Sequence, residues 1–411
     1  MREPTSRRRL GIFLNRFAPW AVPVLEFVYL RVLRRTCLAL FQAAWRAVPV
    51  SSEVLGPPKG VIVRIEDWLA SDRRRGKMVH EASWTCGQEE KDRETNGECG
   101  KADGPLFVVE VEEGRVCTET GAILGRDDRL LAEITPSDTW FDSTEHDVLL
   151  RMRLPPVNVA GKRVAYICTH PALAHNYGHW LFECVSLYGY FREIYGWEQF
   201  DWIVINRLTH PFQEESLSRA GIPREKAVEL NARLHLKAES LIASSYASYA
   251  TNRTPKWVCS AVRRVIGPAE TPRKPSRKIY LTRRYANRRK LANEKEVLRV
   301  LERYGVEEVV PERLSLSEQA ALFAESKWVI GLYGAALCNV VFAPKGSVVL
   351  EFRVELVPNA AYYEDLARTC ELQYEQIRAT PLHRSRGRSS YYADVLLDAR
   401  ELEKKLDALP R

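Results

Sequence analysis

Five basic residues, Arg283, Arg284, Arg288, Arg289 and Lys290, crowd one short stretch just after an apolar run, Lys278–Leu281, that reads as a β-strand. Like charges at that density repel unless they are solvated or matched by an anion, and planar guanidinium groups meet phosphate oxygens two at a time. The stretch reads as a diphosphate-binding loop, with Arg283, Arg284 and Arg289 as candidate ligands and a solvated surface loop as the plain alternative. Further along, Tyr333-Gly334-Ala335-Ala336 forms a turn of small residues between a strand, Trp328–Gly331, and a predicted helix, Leu337–Phe342. Small residues at a helix start let a phosphate reach free backbone N–H groups at the positive end of the dipole, although they equally permit close helix–sheet packing. Glu351, near the end of the strand Val348–Phe352, is placed to accept hydrogen bonds from sugar or ribose hydroxyls, or to pair with a nearby arginine.

A second group lies in the first half. Three of the eight histidines, His170, His175 and His179, fall within ten residues. If a helix starts near Tyr177, His179 and Glu183 stand at i and i+4 on one face, where the carboxylate can orient the imidazole and raise its basicity. That pair suits a general base. Two alternatives stay open: a core helix around Trp180, Leu181 and Phe182 in which His179 is a satisfied polar group, and a metal held by the three histidines. Pro171 and the absence of an H-E-x-x-H pattern speak against the metal.

These groups need elements to position them. From Val164 onward, strand-like runs (Val164–Cys168, Trp202–Ile205, Leu241–Ala243, Lys278–Leu281, Trp328–Gly331, Val348–Phe352) alternate with helix-like ones, which predicts α/β units with parallel sheets. The helix after the arginine stretch has Asn293 at the N-cap with Glu296 three residues on, then Val297, Leu298, Val300 and Leu301, and Gly305 as its stop. Capping and ligand contact therefore compete as roles for Asn293 and Glu294. Ser315 and Glu318 form a second capping box. Three prolines and a glycine in Gly267–Arg277 mark the boundary between two α/β bodies. Val61–Asp147 is β-like, with turn signals at Glu113-Gly114 and Gly121, and Ser83–Gly104 reads as a surface loop. The expected division is 1–50, a basic helical arm; 51–270, an acceptor-side domain; and 271–411, a nucleotide-sugar-binding domain.

Composition narrows the classes. The 411 residues, 45% hydrophobic and 28% charged, are ordinary globular values that exclude a disordered chain and a membrane-embedded body. The net charge of +8 suits an anionic ligand, nucleic acid or an acidic membrane surface, and charge alone does not choose among them. Nine cysteines without a C-x-x-C pair argue against a disulfide framework or zinc knuckle, and for a reducing, cytoplasmic setting. No G-x-G-x-x-G or Walker motif supports a nicotinamide or P-loop protein. In residues 7–50, arginines punctuate apolar residues, and the longest apolar run, Phe17–Leu30, is broken by Pro19, Pro23 and Glu26 and falls short of the roughly 20 residues of a membrane span. The arm suits a basic amphipathic helix on a membrane surface, or packing against the body or a partner subunit, a second copy of the chain among them.

Together these stretches resemble glycosyltransferase family 61, whose bacterial members often sit in capsule or other polysaccharide clusters. The resemblance covers most of residues 55–400. It rests on NYGHWLFE (Asn176 to Glu183), RRKLANE (Arg288 to Glu294), LSLSEQAALFAESKWVIGLYGAALCNVVFAPKGSVVLEF, and more weakly GRVCTETGAILGRDDRLL. It implies an inverting enzyme of GT-B-like fold: two Rossmann-like bodies facing a cleft, with a nucleotide diphosphate on the C-terminal body and a glycan acceptor between the bodies. Asn176 and Asn339 lie in these motifs and join the candidate substrate contacts with Tyr333, Gly334, Ala335, Ala336 and Glu351. The lack of a D-x-D triplet fits a transferase that needs no metal; no other cofactor and no nucleic-acid partner is expected. Where the family usually carries H-G-A this chain has Tyr333-Gly334-Ala335, and where it often has Asp the chain has Glu183. Tyrosine can still donate a hydrogen bond but carries no positive charge near neutral pH. Outside the family, a non-catalytic nucleotide- or glycan-binding subunit and a metal-dependent hydrolase built on His170, His175 and His179 remain as alternatives.

Overall fold

The computed structural model describes residues 58–71, 76–82, 106–136, 146–151, 154–245, 254–268, 275–354, 361–382 and 393–410. The predicted arm 7–50, the loop Ser83–Gly104 and the middle of the proposed boundary at Gly267–Arg277 lie outside the described residues.

The first sheet collects the strands β1 (Gly60–Ile62), β2 (Gly76–Ala82), β3 (Leu106–Glu112), β4 (Arg115–Cys117), β5 (Ala122–Leu124), β6 (Arg129–Leu131), β7 (Val159–Ile167), β8 (Trp202–Ile205), β9 (Ala227–Glu229) and β10 (His235–Ser244). Its main path runs β1-β6-β5-β4-β10-β7-β8-β9, with β3 pairing β10 and β2. The strand β10 joins two textures: it is antiparallel to β3 and β4 and parallel to β7. The turn signals are used as left-handed positions, with φ 52° at Glu113 and 68° at Gly121. Helix α1 (Ile65–Ser71) packs Ile65, Trp68 and Leu69 at the β-rich end.

The second sheet is wholly parallel. Its strands β11 (Arg277–Leu281), β12 (Glu307–Val309), β13 (Ser326–Leu332), β14 (Val348–Arg353) and β15 (Gln373–Arg378) run in the order β12-β11-β13-β14-β15. Strands buried on both faces read as continuous apolar runs. Accordingly, every residue of β14 is buried except the half-buried Arg353. The last strand of the first sheet precedes the proline-rich stretch and the first strand of the second follows it.

The helix α2 is built in three segments, Tyr177–His179, a π-helical turn Trp180–Val185, and Ser186–Ile194. All six residues of the π turn are buried, so this part of the helix is internal, and only its last turn reaches the surface at Glu193 and Ile194. It packs against α4 (Lys256–Ile266) and belongs to one apolar core that also takes in Val262, Leu316, Phe323, Val340 and Tyr362 from the elements around the second sheet. Helix α3 (Pro211–Ala220) bridges to α6 (Leu316–Ala324): the Glu215 carboxylate accepts from the backbone N–H groups of Leu316 and Ser317, both at 2.8 Å, and Arg219 donates to Ser317 Oγ at 2.9 Å. The Ser315–Glu318 capping box forms at the same helix start. Helix α5 (Glu294–Arg303) buries Val297, Val300 and Leu301 and is followed by Gly305 at φ 67°. Helices α7 (Tyr362–Thr369) and α8 (Ala399–Ala408) complete the second half, and β16 (Thr380–Pro381) pairs with β17 (Val395–Leu396). Among the described residues no helix is long and apolar enough to cross a membrane.

Two local expectations are corrected. Leu337–Phe342 is not an α-helix but part of a 3₁₀-helix, Ala335–Phe342, whose tighter winding fits the short connection between β13 and β14. Asn293 occupies the N-cap of α5, yet its side chain accepts from no N–H of the helix; it donates to the Glu296 carboxylate at 2.9 Å and is drawn to the tail, accepting from Leu397 N–H at 3.2 Å and donating to Leu397 C=O at 2.8 Å.

Glu215→Ala removes the carboxylate shared by two N-terminal N–H groups of α6, and loss of such a cap should cost about 1–2 kcal/mol. Urea denaturation should show a lower midpoint for the variant; an unchanged midpoint would mean that the α3–α6 bridge contributes nothing.

Candidate functional site

In a parallel sheet of this order the connections from β11 and β13 leave on opposite sides, so a crevice opens at the carboxyl ends of those two neighbouring strands. The arginine stretch follows β11 and the glycine turn follows β13. They meet there. A Cβ at Gly334 would collide with the Arg283 guanidinium, so glycine is required by close approach and not by its extended backbone. Arg283 is held by its own loop, donating from Nε to Arg289 C=O and from Nη2 to Arg288 C=O, both at 3.1 Å. Burial, and then the neighbouring charge of Arg289, pull its pKa below the ordinary arginine value. Arg289 is itself buried, takes up a left-handed φ of 55°, and sets its guanidinium carbon 5.3 Å from the centroid of the Tyr333 ring. Tyr333 is braced edge-on by Tyr363 at 5.1 Å, and the Tyr363 hydroxyl donates to Gly334 C=O at 2.6 Å. Two desolvated guanidinium groups that repel each other favour an anion between them.

The remaining residues of this half separate from that pair. Arg284 turns outward to the carboxylates of Glu308 and Glu294, and Glu308 chiefly raises its pKa. Glu294 accepts from Thr282 Oγ1 at 2.6 Å and Tyr280 Oη at 3.0 Å, anchoring the start of the loop. Asn293 ties the loop to the tail as described above. Ala335 and Ala336 stand half-buried at the first positions of the 3₁₀-helix, where N–H groups have no partner within the helix. Asn339 is fully buried, accepting from Tyr177 Oη at 2.6 Å and donating to Gln319 Oε1 at 2.8 Å.

The histidine group is equally specific. Asn176 caps α2, its Oδ1 accepting from Gly178 N–H at 2.9 Å and from His179 N–H at 3.5 Å. His179 Nδ1 lies 2.7 Å from Glu183 Oε1, with both side chains buried. The other carboxylate oxygen accepts from Thr169 Oγ1. Thr169 in turn exchanges backbone hydrogen bonds with the Asn206 amide, at 2.9 and 2.7 Å. Such a chain keeps the imidazole proton on Nδ1 and leaves Nε2 as the basic atom. His170 and His175 go elsewhere: the Nδ1 of His170 accepts from Ala172 N–H, and that of His175 lies 3.1 Å from Thr209 Oγ1. Among the described residues no group of three His, Cys, Asp or Glu is placed to hold a metal. Thr169, Asn206 and Tyr363 had no signal in residue spacing, because each is brought in from a separate strand end or helix.

The two parts of the site meet where the first turn of α2 reaches the second half. Tyr177 bonds Asn339, and a Cβ on Gly178 would stand 2.8 Å from Cys338 Sγ, so the first turn of α2 rests on the 3₁₀-helix that Gly334 opens. Fold and site define an α/β protein that presents a buried arginine, Arg289, and a half-buried one, Arg283, at the reversal of a parallel sheet and a histidine–glutamate pair beside the following turn. Residues 177–350, under half of the chain, match the family described as Glycosyltransferase 61. A relative, the EGF domain-specific O-linked N-acetylglucosamine transferase of Drosophila melanogaster, is 34% identical over 110 residues, covering 26% of this chain and 21% of the relative. The chain thus spans about a fifth of the length of that relative. These similarities support glycosyltransferase family 61, and with it a glycosyltransferase.

Glu351 is placed differently from its neighbours. It is fully buried on β14; Oε2 accepts from Tyr374 Oη at 2.6 Å, while Oε1 has no hydrogen-bond partner among the described residues. Burial pushes its pKa up to about 7, against a smaller lowering by the Tyr374 hydrogen bond. A carboxyl whose folded pKa exceeds its unfolded value holds its proton longer in the native state, so stability falls as pH rises from about 4.5 to 7 and stays reduced above. At 1.36 kcal/mol per unit this amounts to about 3 kcal/mol. Glu351→Gln should remove that slope: denaturant unfolding across pH 4–8 should show wild type losing stability relative to the variant, and parallel curves would disprove a protonated Glu351.

Proposed function

We propose that the chain is an inverting glycosyltransferase that moves a sugar from a nucleotide-sugar donor to a hydroxyl of a glycan acceptor in polysaccharide biosynthesis. The observation that carries this reading is the seating of Arg283 against Gly334 at the reversal of the parallel sheet, with Arg289 beside it. There the diphosphate of the donor meets two guanidinium groups and the first N–H groups of the 3₁₀-helix at Ala335 and Ala336. Tyr333 stands where the family usually has histidine, and serves this site by supporting the Arg289 guanidinium on its ring.

His179 supplies the base. Its Nε2 takes the proton of the acceptor hydroxyl as that oxygen bonds to the anomeric carbon, and the bond from that carbon to the diphosphate oxygen breaks on the opposite face. Glu183, held by Thr169, stabilises the imidazolium that forms. The nucleoside diphosphate leaves with its charge offset by Arg283, Arg289 and backbone N–H groups, an electrostatic task that uses no metal. The name of the Drosophila relative, an O-linked transferase, supports a hydroxyl acceptor.

His179→Ala and Arg289→Ala should each lower turnover by about 10²–10³, equivalent to about 2.7–4 kcal/mol for a group acting on the transition state. Nucleotide-sugar hydrolysis or transfer, measured beside wild type on variants whose circular dichroism is unchanged, tests both roles. Wild-type rates in the two variants would overturn them.

A further inference from the structure

The loop that holds Arg283 and Arg289 also displays Tyr285, which plays no part in the site described above. The residue is 54% exposed, more than any other large apolar residue among the described ones. It is nevertheless fixed. Arg313, which ends the short 3₁₀-helix Pro311–Arg313 after β12, places its guanidinium carbon 5.1 Å from the Tyr285 ring centroid and donates from Nη2 to Tyr285 Oη at 2.8 Å. The ring is thus clamped between the connections that leave the carboxyl ends of β11 and β12, and the rest of its surface faces solvent. A free surface tyrosine needs no such anchor; an oriented ring with bare surface is what stacking on another flat ring uses.

Position supplies the second half of the argument. Tyr285 is two residues from Arg283, and the turn at its base is closed by Ala286 N–H donating to Arg283 C=O at 2.9 Å. The two Cα atoms therefore lie within about 7 Å of each other. A single ribose separates a nucleobase from its phosphates, so the base of a ligand with its diphosphate at Arg283 and Arg289 is within reach of the Tyr285–Arg313 pair. We propose that Tyr285, backed by Arg313, is the stacking platform for the base of the nucleotide. This rests on the donor-site reading above and adds to it the residue that holds the heterocycle. Stacking is tolerant of base identity, since every base has a π face. Tyr285 accordingly contributes affinity for nucleotides over bare diphosphate, and selection among bases falls to other contacts.

Calorimetric titration of the full chain with nucleoside diphosphates of the common bases and with inorganic pyrophosphate tests the proposal. Tyr285→Ala should weaken the tightest nucleoside diphosphate about ten-fold, and Tyr285→Phe, which keeps the ring, should stay within about two-fold of wild type. Pyrophosphate binding should be the same in all three proteins. Nucleotide binding that survives Tyr285→Ala unchanged but is lost in Arg289→Ala overturns this proposal alone and leaves the donor site standing. So does an equal loss of nucleotide and pyrophosphate in Tyr285→Ala, which would make the residue a support for the arginines. Absence of any binding by the wild type overturns the donor-site reading and this proposal with it.

Discussion

The second half of the molecule is organised around a guanidinium group that has been taken out of water. Arg283 leaves the end of β11, is clasped by the carbonyls of its own loop, and fills the space that any side chain at position 334 would need. Burying it beside a second arginine is unfavourable in the absence of an anion, and its pKa moves in the direction that records this. Several features follow from that constraint. Arg289 adopts a left-handed backbone, Tyr333 lies against its guanidinium, and Tyr363 braces both the ring and the Gly334 carbonyl. A site of this kind is prepared at the cost of stability in the unliganded protein, so that little has to be rearranged when charge arrives.

The basic half of the site is tied to the histidine half by small, fully satisfied contacts. Tyr177 and Asn339 share one hydrogen bond, and Gly178 admits Cys338. Behind His179 a line of partners runs through Glu183 and Thr169 to Asn206, which stands just beyond the end of the neighbouring strand β8. The imidazole is therefore oriented by the first sheet while its helix start is seated against the second.

Much of this was legible in residue order, and the reasons it stopped being legible are local. Alternating apolar runs located the strands near β7, β8, β10, β11, β13 and β14, because buried parallel strands leave an uninterrupted signal. The i, i+4 relation of His179 and Glu183 held because a turn of helix does form there, with Asn176 as its cap. Lateral strand order was not legible: nothing in the sequence says that β11 lies between β12 and β13, and that order makes Arg283 and Gly334 neighbours. Asn293 misled for a related reason, since its cap-like position is real but its side chain, besides meeting the Glu296 carboxylate, bonds a segment 104 residues away instead of the helix N–H groups. The strand-end position of Glu351 was legible, but only the pairing with β15 brings the Tyr374 hydroxyl beside it.

The π-helical turn Trp180–Val185 separates His179 from the regular part of α2. Such a turn is an α-helix with one residue too many in its ladder. In a continuous α-helix one residue more or fewer turns everything on one side of it by about 100° around the axis, at 3.6 residues per turn, and the wider turn takes up that residue locally instead. Wound as plain α-helix over the same residues, the segment would swing Tyr177 away from Asn339, although every residue named in the site would still be present. The length of this segment is thus as much a part of the site as its chemistry, and changes of register are more damaging there than conservative changes of side chain.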